Sequence, residues 1–287
     1  MQMFNLKIYD FSRRITCQVV LLLLFSFSLS AQSKDSTSYQ LLKTFPLQAT
    51  FITSDALQQW YIATEEGQLL KYSKKGQLLF EYSNDRLGTI GMVDATNPFN
   101  ILVYYPDLAT IILLDRTLSE IKEINLFSLA IFEPQAIALA NDNNIWVYDP
   151  IAAQLKKINR TGKILFQSKN LTQAIGLSIQ PTFLLERNNQ LFLSDPQQGI
   201  FIFDAFGQLQ QQLPNLGVEQ FQLSNQQLLY VQAGKLHAIA LNSLETTSIR
   251  LPDIVIDTGH SILIKQACLT DTSLLLLTQE GVYLMEH

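Results

Sequence analysis

The stretch Asn143–Leu165, NNIWVYDPIAAQLKKINRTGKIL, returns forty-five residues later as Asn188–Gln210, NNQLFLSDPQQGIFIFDAFGQLQ. A chain that writes one unit twice must bury the same faces twice, and this constrains its fold more than any other feature. Ile145–Tyr148 matches Leu191–Ser194, and Asp149-Pro150 matches Asp195-Pro196. Leu155–Ile158 matches Ile200–Phe203, and Asn159-Arg-Thr-Gly162 matches Asp204-Ala-Phe-Gly207. Short apolar runs rich in Val, Ile, Phe and Tyr read as strands. Asp-Pro breaks a strand, because proline cannot donate to the ladder. Asn or Asp followed three residues later by Gly reads as a type I turn, with the side chain capping its own backbone.

Four further copies follow from the same pattern. They are Trp60–Phe80, Ile101–Arg116, Leu228–Ala240 and Leu274–Met285. The second strands of the six units start at 60, 101, 145, 191, 228 and 274, a mean spacing of about 43 residues. Four strands at that period predict propeller blades. Inner strands are expected at Ala49–Thr53, Thr89–Val93, Gln135–Leu139, Gln220–Leu223 and Ile262–Leu269. In the fourth unit Ile175–Ile179 and Thr182–Leu185 compete for that place, separated by Pro181. The sixth unit lacks an outer strand, and Tyr39–Phe45 lacks a partner. Pairing the two closes a ring and removes two open sheet edges. The fold class is therefore all-β: a six-bladed β-propeller of four-stranded blades, closed by an N-terminal strand.

Residues 1–30 read as a secretory signal peptide, and residues 31–287 as one propeller domain. Lys7, Arg13 and Arg14 precede an apolar run, Val19–Leu29, and small residues follow at Ser28, Ser30 and Ala31. The run is too short to cross about 30 Å of hydrocarbon as a helix. A periplasmic or extracellular location follows. Removing residues 1–30 takes away three cations and one acid, which moves the formal net charge from −5 to −7. An acidic chain without basic clusters argues against nucleic acid and anionic membranes as partners. Cys17 leaves with the signal, so Cys268 has no disulfide partner in the chain and reads as a small buried apolar residue.

Glu133–Leu139 followed by Asn141–Asp149 resembles the NHL-type repeat of six-bladed propellers, with a proline, a short apolar strand, a polar turn, an apolar strand and an Asp. The usual turn glycine is here Asn143, which tolerates the same left-handed backbone. The resemblance implies a binding platform. Similar propellers also include metal-dependent lactonases or esterases of the gluconolactonase group, glutaminyl cyclases, lyases and TolB-like envelope proteins.

Little in the sequence points to chemistry. His237, His260 and His287 show no metal-binding spacing, and each reads as a solvated or core residue. Asp94, Glu133 and Glu186, with Asp257 and Asp271, are weak candidates for an axial divalent metal, but none lies in a recognisable loop. No cofactor is expected. The turns between second and third strands carry Glu65, Glu66, Asp107, Asp149, Asp195 and Glu280, and only the fifth departs, with Lys235. The turns on the opposite face carry Lys74, Lys75, Arg116 and Arg160. The six acidic residues are the candidate binding face, suited to a cationic partner. Trp60, Trp146, Tyr104 and Phe192 read as blade packing. The function expected is a non-catalytic binding or scaffold module for a protein or small ligand in the cell envelope. The alternatives are a lactonase-type hydrolase with an axial metal and a structural envelope subunit.

Overall fold

The computed structural model describes residues 39–213, 217–224, 226–249, 251 and 263–286; the expected signal peptide, Asp257, His260 and His287 lie outside them. Strand β1 (Gln40–Phe45) comes first and belongs to the last blade. Blade one is β2 (Ala49–Ser54), β3 (Trp60–Thr64), β4 (Gln68–Tyr72) and β5 (Leu78–Ser83). Blade two is β6 (Met92–Asp94), β7 (Ile101–Tyr105), β8 (Thr110–Leu114) and β9 (Glu120–Asn125). Blade three is β10 (Ile137–Leu139), β11 (Ile145–Asp149), β12 (Gln154–Ile158) and β13 (Ile164–Gln167). Blade four is β14 (Phe183–Arg187), β15 (Gln190–Asp195), β16 (Gly199–Asp204) and β17 (Leu209–Leu213). Blade five is β18 (Phe221–Ser224), β19 (Gln227–Gln232), β20 (Lys235–Ala240) and β21 (Thr246–Ile249). Blade six is β22 (Ile264–Leu269), β23 (Ser273–Thr278) and β24 (Val282–Glu286), completed on its outside by β1.

The chain is thus a six-bladed propeller of antiparallel four-stranded sheets, closed by the N-terminal strand as the repeat count requires. Of the two inner-strand candidates in blade four, the later one forms. Asn170 caps the short helix Leu171–Ile175 by accepting from Gln173 N, which takes Ile175 out of reach of a strand. Inner strands β6 and β10 are three residues long and start two or three residues later than expected. The residues before them, Gly91 and Ala136, still bond the second strand, through Gly91 N to Tyr104 O and Tyr148 N to Ala136 O.

Burial explains the composition of each strand. The second strands β3, β7 and β11 are buried at every residue, as sheets covered on both faces must be. The outer strands β5 and β9 are mostly exposed and more polar. The core lies between blades, in apolar clusters such as Trp146, Leu184, Leu193 and Phe201 across blades three and four. One position fastens neighbours directly, the next-to-last residue of the second strand. Tyr104 Oη donates to Pro134 O at 2.8 Å, Tyr148 Oη to Ile179 O at 3.4 Å, and Ser194 Oγ to Val218 O at 2.6 Å. Two inner-strand glutamines do the same from the axis. Gln222 both donates to and accepts from the Leu269 backbone at 2.6 Å, and Gln266 grips Ile52 N and O at 2.9 and 2.7 Å. At the closure, Lys43 of β1 donates to Gly76 O at 2.6 Å, and the Phe45 and Tyr72 rings meet at 4.6 Å.

The turns between third and outer strands follow the chemistry read from the repeat. Asn159 Oδ1 accepts from Thr161 N and Lys163 N, Asp204 Oδ1 from Phe206 N and Gln208 N, and Asp115 Oδ1 from Thr117 N and Ser119 N. Each turn needs a left-handed residue before it re-enters the sheet, supplied by Gly162 (φ 82°), Gly207 (φ 69°) or, without glycine, Leu118 (φ 61°). The register then slips next to this turn in each of the first four blades, at Lys71/Tyr72, Leu113/Leu114, Lys157/Ile158 and Ile202/Phe203. These positions predict opposite outcomes for two substitutions. A Cβ on Gly162 meets nothing closer than Leu129 at 3.5 Å, so Gly162→Ala isolates the backbone strain. It should lower unfolding free energy by about 1 kcal/mol. Leu244, exposed at φ 59°, should give a gain of up to about 1 kcal/mol as Leu244→Gly. Urea unfolding with an unchanged m-value checks both.

Candidate functional site

The antiparallel order puts the second-to-third-strand turns on the same side of the ring as the chain segments that connect blades. Two contacts document this connection face: a Cβ on Gly67 would lie 2.9 Å from Gly88 O, and one on Gly88 would lie 2.8 Å from Asp107 Oδ2. The first-to-second and third-to-outer turns form the opposite, hairpin face.

Of the six acidic candidates, Glu65, Glu66, Asp107 and Glu280 are exposed on the connection face. Asp149 and Asp195 are turned inward, 2% and 3% exposed. Asp149 Oδ1 accepts from Ile151 N and Ala152 N across the proline turn, and its Oδ2 meets Lys156 Nζ at 2.5 Å. Asp195 Oδ1 accepts from Gln197 N and Gln198 N, and its Oδ2 from Gln180 N at 2.7 Å in the incoming connection. A carboxylate just before a proline is well placed to cap its own turn, and these two fasten the fold instead of facing a partner. Asp107 is not their equivalent. Tyr105 occupies their place in blade two, and Asp107 aligns with Ile151 and Gln197.

The axial metal candidates stand apart from one another. Asp94 Oδ1 accepts from Thr96 N and Thr96 Oγ1, and its Oδ2 accepts from Leu139 N at 2.8 Å, tying blade two to blade three. Glu186 turns away from the axis and accepts from Trp146 Nε1 at 2.6 Å and from Asn141 N. Glu133 is exposed on the connection face at φ 50°. Among the described residues no three of His, Cys, Asp or Glu converge. His237 stacks on Tyr230 with ring centroids 5.3 Å apart. Cys268 is buried in the inner strand of blade six. Burial pushes its thiol up to about 12, against a weaker opposing contact with Ser54 Oγ at 3.2 Å.

A cross-strand pair recurs in blades one and three and was not legible from the repeat. Lys71 stands over the Tyr61 ring at 5.1 Å, and Lys157 over the Trp146 ring at 5.1 Å. Each aromatic then uses its polar handle: Tyr61 Oη donates to Asp55 Oδ2 at 2.9 Å, and Trp146 to Glu186. Lys157 reaches Asp142, whereas Lys71 is 2% exposed and donates to the Arg116 carbonyl at 2.7 Å. Desolvation holds the Lys71 ammonium below the ordinary lysine range, with Arg116 adding to the effect and Asp55 and Asp115 opposing it.

An axial channel of about 1260 Å³ runs through the ring, bordered by inner strands of blades one, two, four, five and six. Its wall is about half apolar, with Phe51, Phe183 and Phe221, and half polar, with Thr50, Ser54, Gln222 and Ser224. Sequence reasoning placed acids here. Of those acids Asp94 and Asp271 border the channel; Asp55, not among them, borders it too and gives both oxygens to Leu57 N, Gln59 N and Tyr61 Oη.

No protein-family model matches the sequence, and no curated protein matches it. Solved structures do. A streptogramin B lyase matches with a TM-score of 0.62 at 12% identity, over 86% of this chain and 97% of that one. The WD40 domain of Neurospora crassa Pan2 matches with a TM-score of 0.57 at 11% identity, over 87% and 82% of the two chains. A catalytically inactive virginiamycin B lyase from Staphylococcus aureus, with quinupristin, matches with a TM-score of 0.57 at 14% identity, over 83% and 80%. At such identities the likeness is one of fold, and fold does not carry activity.

Two measurements check this description. In a Cys17→Ser chain, Cys268 should resist thiol reagents until the protein is unfolded, then react stoichiometrically. The folded-state pKa of Lys71 lies below its unfolded value of 10.5, so the unfolded chain binds the extra proton and stability rises with pH towards 10.5. Lys71→Met should remove that slope and stabilise the protein at neutral pH by about 1 kcal/mol, read from thermal melts across the pH range.

Proposed function

We propose that this chain is an exported, non-catalytic binding module that holds a protein partner against the connection face of its propeller. The observation that carries the reading is a group of exposed apolar side chains on two adjacent turns and the segment between their blades. Leu108, Phe127 and Phe132 are each 42% exposed, and Ile151 is 75% exposed. The Asn125 amide bonds Leu108 O, which brings the Leu108 turn beside Phe127, and the Phe127 and Phe132 rings lie 5.9 Å apart. Apolar side chains grouped on one face mark interaction surfaces, and buried aromatics dominate interface energetics. Exposed Asp107 and Glu133 flank the group, and Glu65, Glu66 and Glu280 lie further round the same face. Acidic flanks favour a partner with basic residues at its rim and speed its approach at low salt. The N-terminal segment supports export, and among the described residues no helix is long and apolar enough to cross a membrane.

The test is a low-salt pull-down from envelope and secreted fractions of the source organism, with metal content measured on the same preparation. The parent chain should retain a stoichiometric protein partner. Phe127→Ser with Ile151→Ser should cost at least about tenfold in affinity without moving the melting temperature. Neutralising Glu65, Glu66, Asp107 and Glu280 should slow association and flatten its salt dependence. A partner indifferent to both sets, or about one tightly held divalent ion and no partner, sinks the reading. The mass of the chain recovered from those fractions should show cleavage near Ser30.

A further inference from the structure

The hairpin-face mouth of the channel carries a second feature, independent of the connection face. Gln58, Arg187, Asn188, Gln226, Asn242 and Asp271 line it, contributed by blades one, four, five and six. Three of them stand in the left-handed backbone region: Gln58 (φ 60°), Asn188 (φ 52°) and Gln226 (φ 60°). Glycine occupies that region without strain, and asparagine tolerates it, but glutamine does so at a cost. Elsewhere on this face, left-handed amides have structural work. Asn143 accepts from Asn97 at 2.7 Å and Asn189 from Asn141 at 3.2 Å, each joining two blades. Asn188 and Gln226 do nothing of the kind: among the described residues their side chains make no hydrogen bond. Asn242 and Arg187 make none either. Gln58 donates to Asp271 Oδ2 at 3.1 Å, while its Oε1 is buried without any partner. Asn188 and Gln226 are exposed and free to meet a ligand, strained positions cluster at ligand sites, and a buried acceptor without a partner, as Gln58 Oε1 is, calls for one.

We infer that this mouth binds a neutral saccharide. The unused groups are mainly primary amides, each offering two donors and one acceptor. A sugar hydroxyl needs both a donor and an acceptor, so vicinal hydroxyls match a rim of amides as a carboxylate or phosphate does not. Of the charged side chains here, Arg187 and Asp271 are of opposite sign, and the carboxylates of Asp55 and Asp94 already accept from protein N–H and O–H donors on both oxygens. Two exposed apolar side chains stand on the same face, outside the channel lining. Leu57, next to Gln58, is 58% exposed, and Phe99 on the corresponding turn of blade two is 62% exposed. The channel volume, about 1260 Å³, leaves room for more than one sugar residue.

The test is calorimetric titration of the full chain with neutral gluco-, manno-, xylo- and chito-oligosaccharides, and with a uronic oligosaccharide as the charged comparison. At least one neutral series should bind saturably and independently of salt. Asn188→Gly with Gln226→Gly should weaken it about tenfold or more, as the loss of two hydrogen bonds predicts. The same pair relieves backbone strain, so the double variant should melt at or above the parent temperature, which separates lost binding from lost folding. Failure of every neutral series to bind, or equal binding by the glycine variant, overturns the inference. Binding of the uronic series alone, abolished by Arg187→Gln, overturns it in favour of an anionic ligand. None of these results touches the partner-capture experiment, which reads the other face.

Discussion

A four-stranded blade has two apolar faces and cannot cover either by itself. Everything else in this protein follows from that. Each second strand is buried on both sides only because another blade lies against each face, so the units must form a ring and the ring must close. Side chains that reach the next blade hold the ring together: Tyr104, Tyr148 and Ser194 at one repeat position, and the glutamines Gln222 and Gln266 near the axis. Asp149 and Asp195 belong with them. Their carboxylates hold turns and connections in place, and substitution would leave buried amide groups unpaired at a cost of about 1–3 kcal/mol each.

The architecture was legible because its determinants are local and periodic. Asn159 and Asp204, each followed three residues on by glycine, announce the same turn twice. Asp-Pro announces another, and the period between apolar runs counts the blades. Inner-strand boundaries were less legible, since Gly91 and Ala136 bond the sheet without forming a full strand. The competition in blade four was decided by Asn170, whose capping bond favours a short helix over a strand.

The sites were harder to read, for reasons of direction and backbone angle. An acidic residue in a turn looks the same in sequence whether it faces solvent, like Glu65, or caps buried amides, like Asp195. Glu186 carries no mark that it will turn from the axis to meet Trp146, forty residues earlier. The collar at the hairpin face was invisible because glutamine carries no signal for a left-handed backbone; Gln58 and Gln226 stand out only once φ is known. The two surfaces differ in character, one apolar with acidic flanks and one rich in amides, and they lie on opposite faces of the ring.

The closure has a consequence in time. Strand β1 pairs with β24, so among the described strands the first made must wait for the last. During synthesis blades one to five acquire all their strands in order, but blade six has no outer strand of its own and Lys43 has its neighbours only on one side of the seam. No nascent chain shorter than about the full ring can complete the seam, and until then β1 and β24 each present an open edge to other chains. Closing the ring is therefore a late step: it becomes available only once β24 has been made.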